Sequence, residues 1–263
     1  MYLEASELNI TAKTKNGAVN RVVKDLSFSV DRGKKLAIVG RSGCGKTMTA
    51  MSVLGLLPDN CTAVGSIRCG GKELLSMKCR ERRELLGTVQ VLIPQSGADF
   101  LNPALTVRRQ MEESYKRAGI GKQARREKMK ESLHNLGFAS PEKILPLYPF
   151  QLSGGMAQRV VMAMAAAGNP ALVIADEPTK GIDKDNTELF LRNIDLMFPQ
   201  AAVILITHDI SVAAACDDIL VIKDGSGEEY GRTEDVLSHP QSAYTRELIS
   251  DLPHALSRSE SGE

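Results

Sequence analysis

The sequence predicts an α/β fold with a mostly parallel central sheet, a small antiparallel β element and an inserted helical segment. Three observations carry that prediction. Short, continuous apolar runs recur along the 263 residues, each bounded by polar or turn residues. Helical stretches separate them. A polar, proline-broken stretch interrupts the alternation in the middle of the chain. Continuous apolar strands parted by helices indicate a parallel sheet covered on both faces.

The elements follow in chain order. Lys35-Leu36-Ala37-Ile38-Val39 is a β-rich run ending at glycine, and Thr47 to Leu57 has helical character. Gly65 to Leu75 reads as a hairpin with a glycine turn, which supplies the antiparallel element. Val89 to Ile93, Leu172 to Ala175, Ala202 to Ile206 and Ile219 to Ile222 are further apolar strands. Roughly Ala98 to Gln158 is polar and helical in pattern, broken by Gly119, Gly121, Pro141, Pro146 and Pro149. Within it, Lys116 to Lys130 holds seven Lys/Arg against one Glu. No aromatics interleave there, so a solvated helix face is preferred to a nucleic-acid or lipid-headgroup patch. The last residues, 254–263, read as a polar, disordered tail.

Composition narrows the class. The formal net charge of +1 does not favour nucleic acid as a partner. No run of about 18 apolar residues is present, and the N-terminus lacks the pattern of a secretory signal. Five cysteines, an odd number without metal-ligand spacing, read as reduced thiols of a cytosolic protein.

Chemistry enters at Gly40-Arg41-Ser42-Gly43-Cys44-Gly45-Lys46-Thr47, which fits G-x-x-x-x-G-K-[ST] at every fixed position. An apolar strand precedes it and a helix follows. Glycines let the backbone curl so that its N–H groups point at phosphate oxygens, and the helix N-terminus adds partial positive charge. Lys46 can reach β- and γ-phosphates, and the Thr47 hydroxyl can bind Mg²⁺. Asp176 and Glu177 end a strand that reads as buried. Adjacent carboxylates are costly there unless a cation or hydrogen bonds offset them. In this reading Asp176 holds the metal through water and Glu177 accepts a proton from the attacking water. Gln95 and His208 each follow an apolar strand. The amide can reach Mg²⁺ or the attacking water. The imidazole can touch the γ-phosphate and hold the catalytic carboxylate.

Between these landmarks lies Leu152-Ser153-Gly154-Gly155-Met156. With the phosphate loop, Gln95, Asp176-Glu177, a loop ending in Asp183, and His208, it gives a series that resembles the ATP-binding cassette (ABC) family from end to end. The resemblance implies a P-loop NTPase fold and an ATPase using ATP and Mg²⁺. It implies that Ser153, Gly154 and Gly155 clasp the γ-phosphate of ATP held by a second cassette, identical or different, and that Asp183 couples the two sites. It also implies one ATPase domain over 1–253, with a helical subdomain at about 98–158.

A narrower likeness rests on Phe100-Leu101-Asn102-Pro103, Tyr148-Pro149-Phe150-Gln151, Gln158-Arg159-Val160, and the segment from His239-Pro240 through Tyr244-Thr245-Arg246-Glu247-Leu248 to Pro253. These are similar to the oligopeptide, dipeptide and nickel importer group. They imply a peripheral subunit on the cytoplasmic face of the membrane, beneath two transmembrane permease subunits and served indirectly by an extracellular substrate-binding protein. Two features depart from the family: no aromatic lies between Tyr2 and Phe28 to stack on adenine, and Lys180-Gly181-Ile182 replaces a small-residue-Ala-Leu pattern. The alternative class is a soluble cassette acting in repair or translation, which commonly carries two cassettes or a long coiled insertion.

Overall fold

The computed structural model describes residues 1–180 and 183–250. The expected tail, Pro253, Gly181 and Ile182 lie outside the described residues. Two sheets organise the rest. The first is antiparallel and joins β1 (Leu3–Lys13), β2 (Val19–Val30), β4 (Cys61–Cys69) and β5 (Lys72–Glu73) in the order β2-β1-β4-β5. The second contains β3 (Lys35–Val39), β6 (Gln90–Ile93), β7 (Leu172–Asp176), β8 (Ala202–Thr207), β9 (Asp218–Lys223) and β10 (Ser226–Arg232). Its order is β10-β9-β3-β8-β7-β6, and every pair is parallel except β9–β10.

Period-two alternation places the core on both faces of the second sheet. Leu36 and Ile38 of β3 join Ile204 and Ile206 of β8 in a cluster beneath the antiparallel sheet. Ala37 and Val39 join Val203 and Leu205 in a second cluster beneath the helices. Side chains of successive strand residues point to opposite faces, so an uninterrupted apolar run fills both. Each fully buried Leu or Ile contributes on the order of 1.5–3 kcal/mol.

Helices cover the other side, except the first two, whose Ala50, Val53, Leu54 and Leu85 belong to or pack against the cluster beneath the antiparallel sheet. They are α1 (Lys46–Leu54), α2 (Cys79–Leu85), α3 (Gly97–Phe100), α4 (Val107–Arg117), α5 (Lys122–Asn135), α6 (Pro141–Ile144), α7 (Gly154–Ala166), α8 (Lys184–Met197), α9 (Ile210–Ala213), α10 (Thr233–Ser238) and α11 (Ala243–Ser250). The helix expected to reach Leu57 stops at Leu54, because Gly55 adopts φ +71° and turns the chain out. In α5, Met129 and Leu133 are buried one turn apart, while Lys122, Arg126 and Lys128 are exposed. The Tyr115 hydroxyl bridges Ser132 of α5 (2.6 Å) and the Ala163 carbonyl of α7 (3.3 Å), tying three helices together.

The antiparallel sheet is larger than the hairpin the sequence suggests. β1 and β2 carry register shifts, and Glu7 and Asp25 within them have φ near +50° (50° and 47°). Such bulges break the alternation by which a strand is recognised.

Candidate functional site

Parallel pairing sets the site. Val39 of β3 lies opposite Thr207 of β8, Ile206 opposite Asp176 of β7, and Ala175 opposite Ile93 of β6. The carboxyl ends of four strands therefore open onto one edge, and Gly40, Gln95, Asp176-Glu177 and His208 all leave from it. In open α/β sheets that edge is where ligands bind.

The glycines of the loop from Gly40 to Thr47 have backbone reasons. Gly45 sits at φ +106°, and a Cβ there would lie 2.9 Å from the Val22 carbonyl oxygen. At Gly40 a Cβ would lie 2.2 Å from the Ile222 carbonyl oxygen. Gly43 has φ +83° with open space around it. Ser42 and Gly43 are exposed at the rim, whereas Cys44 is buried and burial pushes its thiol pKa up. Lys46 is only 6% exposed; its Nζ donates to the carbonyls of Gly40 (2.7 Å) and Arg41 (3.2 Å).

Across from the loop, Glu177 holds φ +47°, a conformation that costs an L-residue on the order of 1 kcal/mol or more. Its Oε2 meets His208 Nδ1 at 2.6 Å, and its Oε1 lies 3.9 Å from Lys46 Nζ. One carboxylate oxygen is thus tied to the imidazole while the other faces the loop lysine. Asp176 differs. Its Oδ1 is buried without a hydrogen-bond partner. Burial raises its pKa, while the Thr47 hydroxyl and the Lys46 ammonium oppose that shift. A buried carboxylate oxygen with no donor, beside a threonine hydroxyl, fits a cation. Gln95 is exposed just beyond β6.

The remaining expected residues form a second place. Ser153 caps α7, its Oγ accepting from the Met156 N–H at 3.3 Å. Ser153, Gly154 and Gly155 are exposed, and a Cβ on either glycine would meet nothing within 4 Å. Among the described residues, the hydrogen bonds of this segment stay within α7. Asp183 caps α8, accepting from the backbone N–H (2.9 Å) and side-chain amide (2.8 Å) of Asn186, which lower its pKa. Ser153, Gly155 and Asn186 line a shared cleft of about 290 Å³. Sequence reasoning missed the role of Gln158, whose amide donates to the Pro178 carbonyl and ties α7 to the turn after Glu177.

The chain is similar to known proteins. A family model described as ABC transporter matches residues 23–180. The chain is 36% identical to a metal-staphylopine import system ATP-binding protein of Staphylococcus aureus, over 87% of this chain and 86% of the relative. It is 36% identical to a dipeptide transport ATP-binding protein of Haemophilus influenzae, over 95% and 77%. It is 36% identical to an oligopeptide transport ATP-binding protein of Salmonella typhimurium, over 96% and 76%. Among solved structures, the ATP-binding cassette MJ0796, a dimer in a post-hydrolysis state bound to ADP and Pi, superposes with a TM-score of 0.76 at 25% identity, covering 88% of this chain and 98% of that one. The loop, the acidic strand end, the glycine-opened α7 and these relatives lead to one statement: the chain belongs to the ABC transporter family, as an ATP-binding, ATP-hydrolysing subunit.

Proposed function

We propose that this chain works as one half of a cassette pair that powers uptake of peptides or of metal chelates, nickel among them, through two transmembrane permease subunits. One observation carries the reading. The phosphate-handling groups stand in two separate places, the second of which, Ser153-Gly154-Gly155, is exposed, with open space around the Cα of both glycines. Two copies, or this chain and a different cassette, would each complete the other's site. The import relatives support uptake and its cargo class. They do not favour a soluble cassette in repair or translation.

Within this proposal each site residue has a role. Gly40, Ser42, Gly43, Cys44, Gly45, Lys46 and Thr47 cradle the phosphates. Thr47, Gln95 and Asp176 would hold Mg²⁺, which when bound offsets the charge on β- and γ-oxygens. Glu177 takes the proton of the attacking water on Oε1, since His208 holds Oε2 and fixes the carboxylate's orientation. Lys46 steadies the charge that develops on the γ-phosphoryl oxygens. Ser153, Gly154 and Gly155 close on the ATP of the partner, with Asp183 coupling the two sites through the start of α8. ATP binding then closes the pair and hydrolysis releases it.

Among the described residues no helix is long and apolar enough to cross a membrane. The proposed location is the cytoplasmic face, with an extracellular binding protein delivering cargo to the permeases. Residues 1–253 act as one ATPase domain whose helical subdomain, about 98–158, meets the permeases near Gln95. Exposed Phe100, Tyr148 and Phe150 support that contact, the last two stacked at 5.7 Å.

Two experiments test the reading. Glu177→Gln should bind Mg-ATP, lose turnover by about 1000-fold, and dimerise on ATP in light scattering; normal turnover would remove Glu177 from the base role. Pull-down of the tagged chain from its native membranes in gentle detergent should recover two polytopic membrane proteins. Recovery of soluble partners only would sink the transport reading and leave the ATPase intact.

A further inference from the structure

The segment from His239-Pro240 through Tyr244 to Leu248 carries no role in the site as described, yet it touches the phosphate loop. Tyr244, on α11, is only 6% exposed. The Arg41 backbone N–H donates to its hydroxyl at 3.0 Å. The Arg41 guanidinium lies 5.8 Å from the centre of the Tyr244 ring and reaches Glu247 Oε1 at 2.6 Å. Lys223 Nζ lies 5.2 Å from the same ring. The turn into α11 is itself fixed, because the Glu229 carboxylate accepts from the N–H groups of Gln241 (2.6 Å) and Ser242 (3.1 Å). Tyr244 is therefore presented to the loop from a held position.

The Arg41 N–H and the Gly40 carbonyl belong to one peptide unit, which is planar. Its N–H end is bound by Tyr244 and its C=O end accepts from the Lys46 ammonium at 2.7 Å. The hydroxyl thus fixes the tilt of the plane, and the tilt decides whether the carbonyl faces Lys46. Bonds at the two ends of one amide also polarise each other. Gly40 cannot resist rotation by a side chain of its own, since a Cβ there would strike the Ile222 carbonyl. An outside anchor supplies what the loop lacks.

We propose that Tyr244 is a positioning residue for the phosphate loop, holding the Gly40–Arg41 peptide so that its carbonyl places the Lys46 ammonium. This rests on the reading that the loop binds ATP. Tyr244→Phe keeps the ring and removes only the hydroxyl. Glu247→Gln removes the ion pair between α11 and Arg41 and leaves the hydroxyl in place. Binding of a ribose-labelled fluorescent ATP to the full chain is measured for wild type and both variants, beside their melting midpoints. Tyr244→Phe should weaken binding about fivefold, the effect of one net hydrogen bond. Glu247→Gln should stay within about twofold, as for an exposed ion pair, and neither midpoint should move with the binding. Unchanged binding in Tyr244→Phe overturns the proposal. So does an equal loss in both variants, which would assign the effect to α11 docking in general. A fall in midpoint that tracks the fall in binding overturns it as well, because the hydroxyl would then serve the fold. A wild-type chain that binds no ATP would instead overturn the ATP reading on which this one stands.

Discussion

The loop from Gly40 to Thr47 and the start of α7 both offer glycines and backbone N–H groups, but they are built differently. In the loop, Gly40 and Gly45 are pressed against the carbonyls of Ile222 and Val22, and Lys46 is held by two carbonyls of its own turn. At α7, Gly154 and Gly155 face open space, and Ser153 bonds only its own helix. Glycine in the loop answers to this chain's own packing. Glycine on α7 answers to nothing in this chain, so its reason lies outside. In the proposed pair the first place is one half of a nucleotide site and the second is the surface that a partner's nucleotide would meet.

That contrast can be broken by substitution. The largest effect is expected at Gly45→Ala, where a Cβ meets carbonyl oxygen at 2.9 Å in a left-handed conformation. Folding stability should fall by about 3 kcal/mol, read by denaturant titration of the isolated chain; an unchanged midpoint would end the argument from loop packing. Gly155→Ala should do the opposite to the monomer. Helix propensity favours alanine by about 0.5–1 kcal/mol, so stability holds or rises. In a Glu177→Gln background, however, ATP-driven dimerisation should weaken about tenfold, since a methyl group stands where a partner's nucleotide must approach. Equal dimerisation would show that the open face is not a contact. The smallest effect belongs to Asp176→Asn. Replacing a half-buried carboxylate whose Oδ1 is buried with no donor should raise the melting midpoint by about 2 °C without divalent cation. Added Mg-ATP should stabilise the wild type more than the variant, and the reverse order would remove Asp176 from the metal site.

The sequence exposes these places unequally. Strand ends were legible because both faces of the parallel sheet are apolar, so β3, β7 and β8 appear as unbroken runs that stop where chemistry begins. The loop was legible because its glycines occur at fixed spacing. β1 and β2 were not, since bulges at Glu7 and Asp25 scramble their alternation. Nor was the bond from Arg41 to Tyr244, whose partners stand 203 positions apart and meet only because β9, β10 and α11 wrap back beside β3. That Ser153 to Gly155 clasp a partner's ATP is implied by family resemblance alone; no periodicity in the sequence distinguishes a helix start that faces a partner from one that faces water.

A consequence follows from the backbone at Glu177. Its turn would be formed most easily by glycine, the one residue at ease with φ +47°. Any search that ranks variants by thermal resistance alone will be drawn to glycine there and will return a sturdier chain without the carboxylate proposed to take up the proton. Efforts to make this protein more robust should therefore hold position 177 fixed, and a gain in heat tolerance mapping to it should be read as a warning of lost turnover.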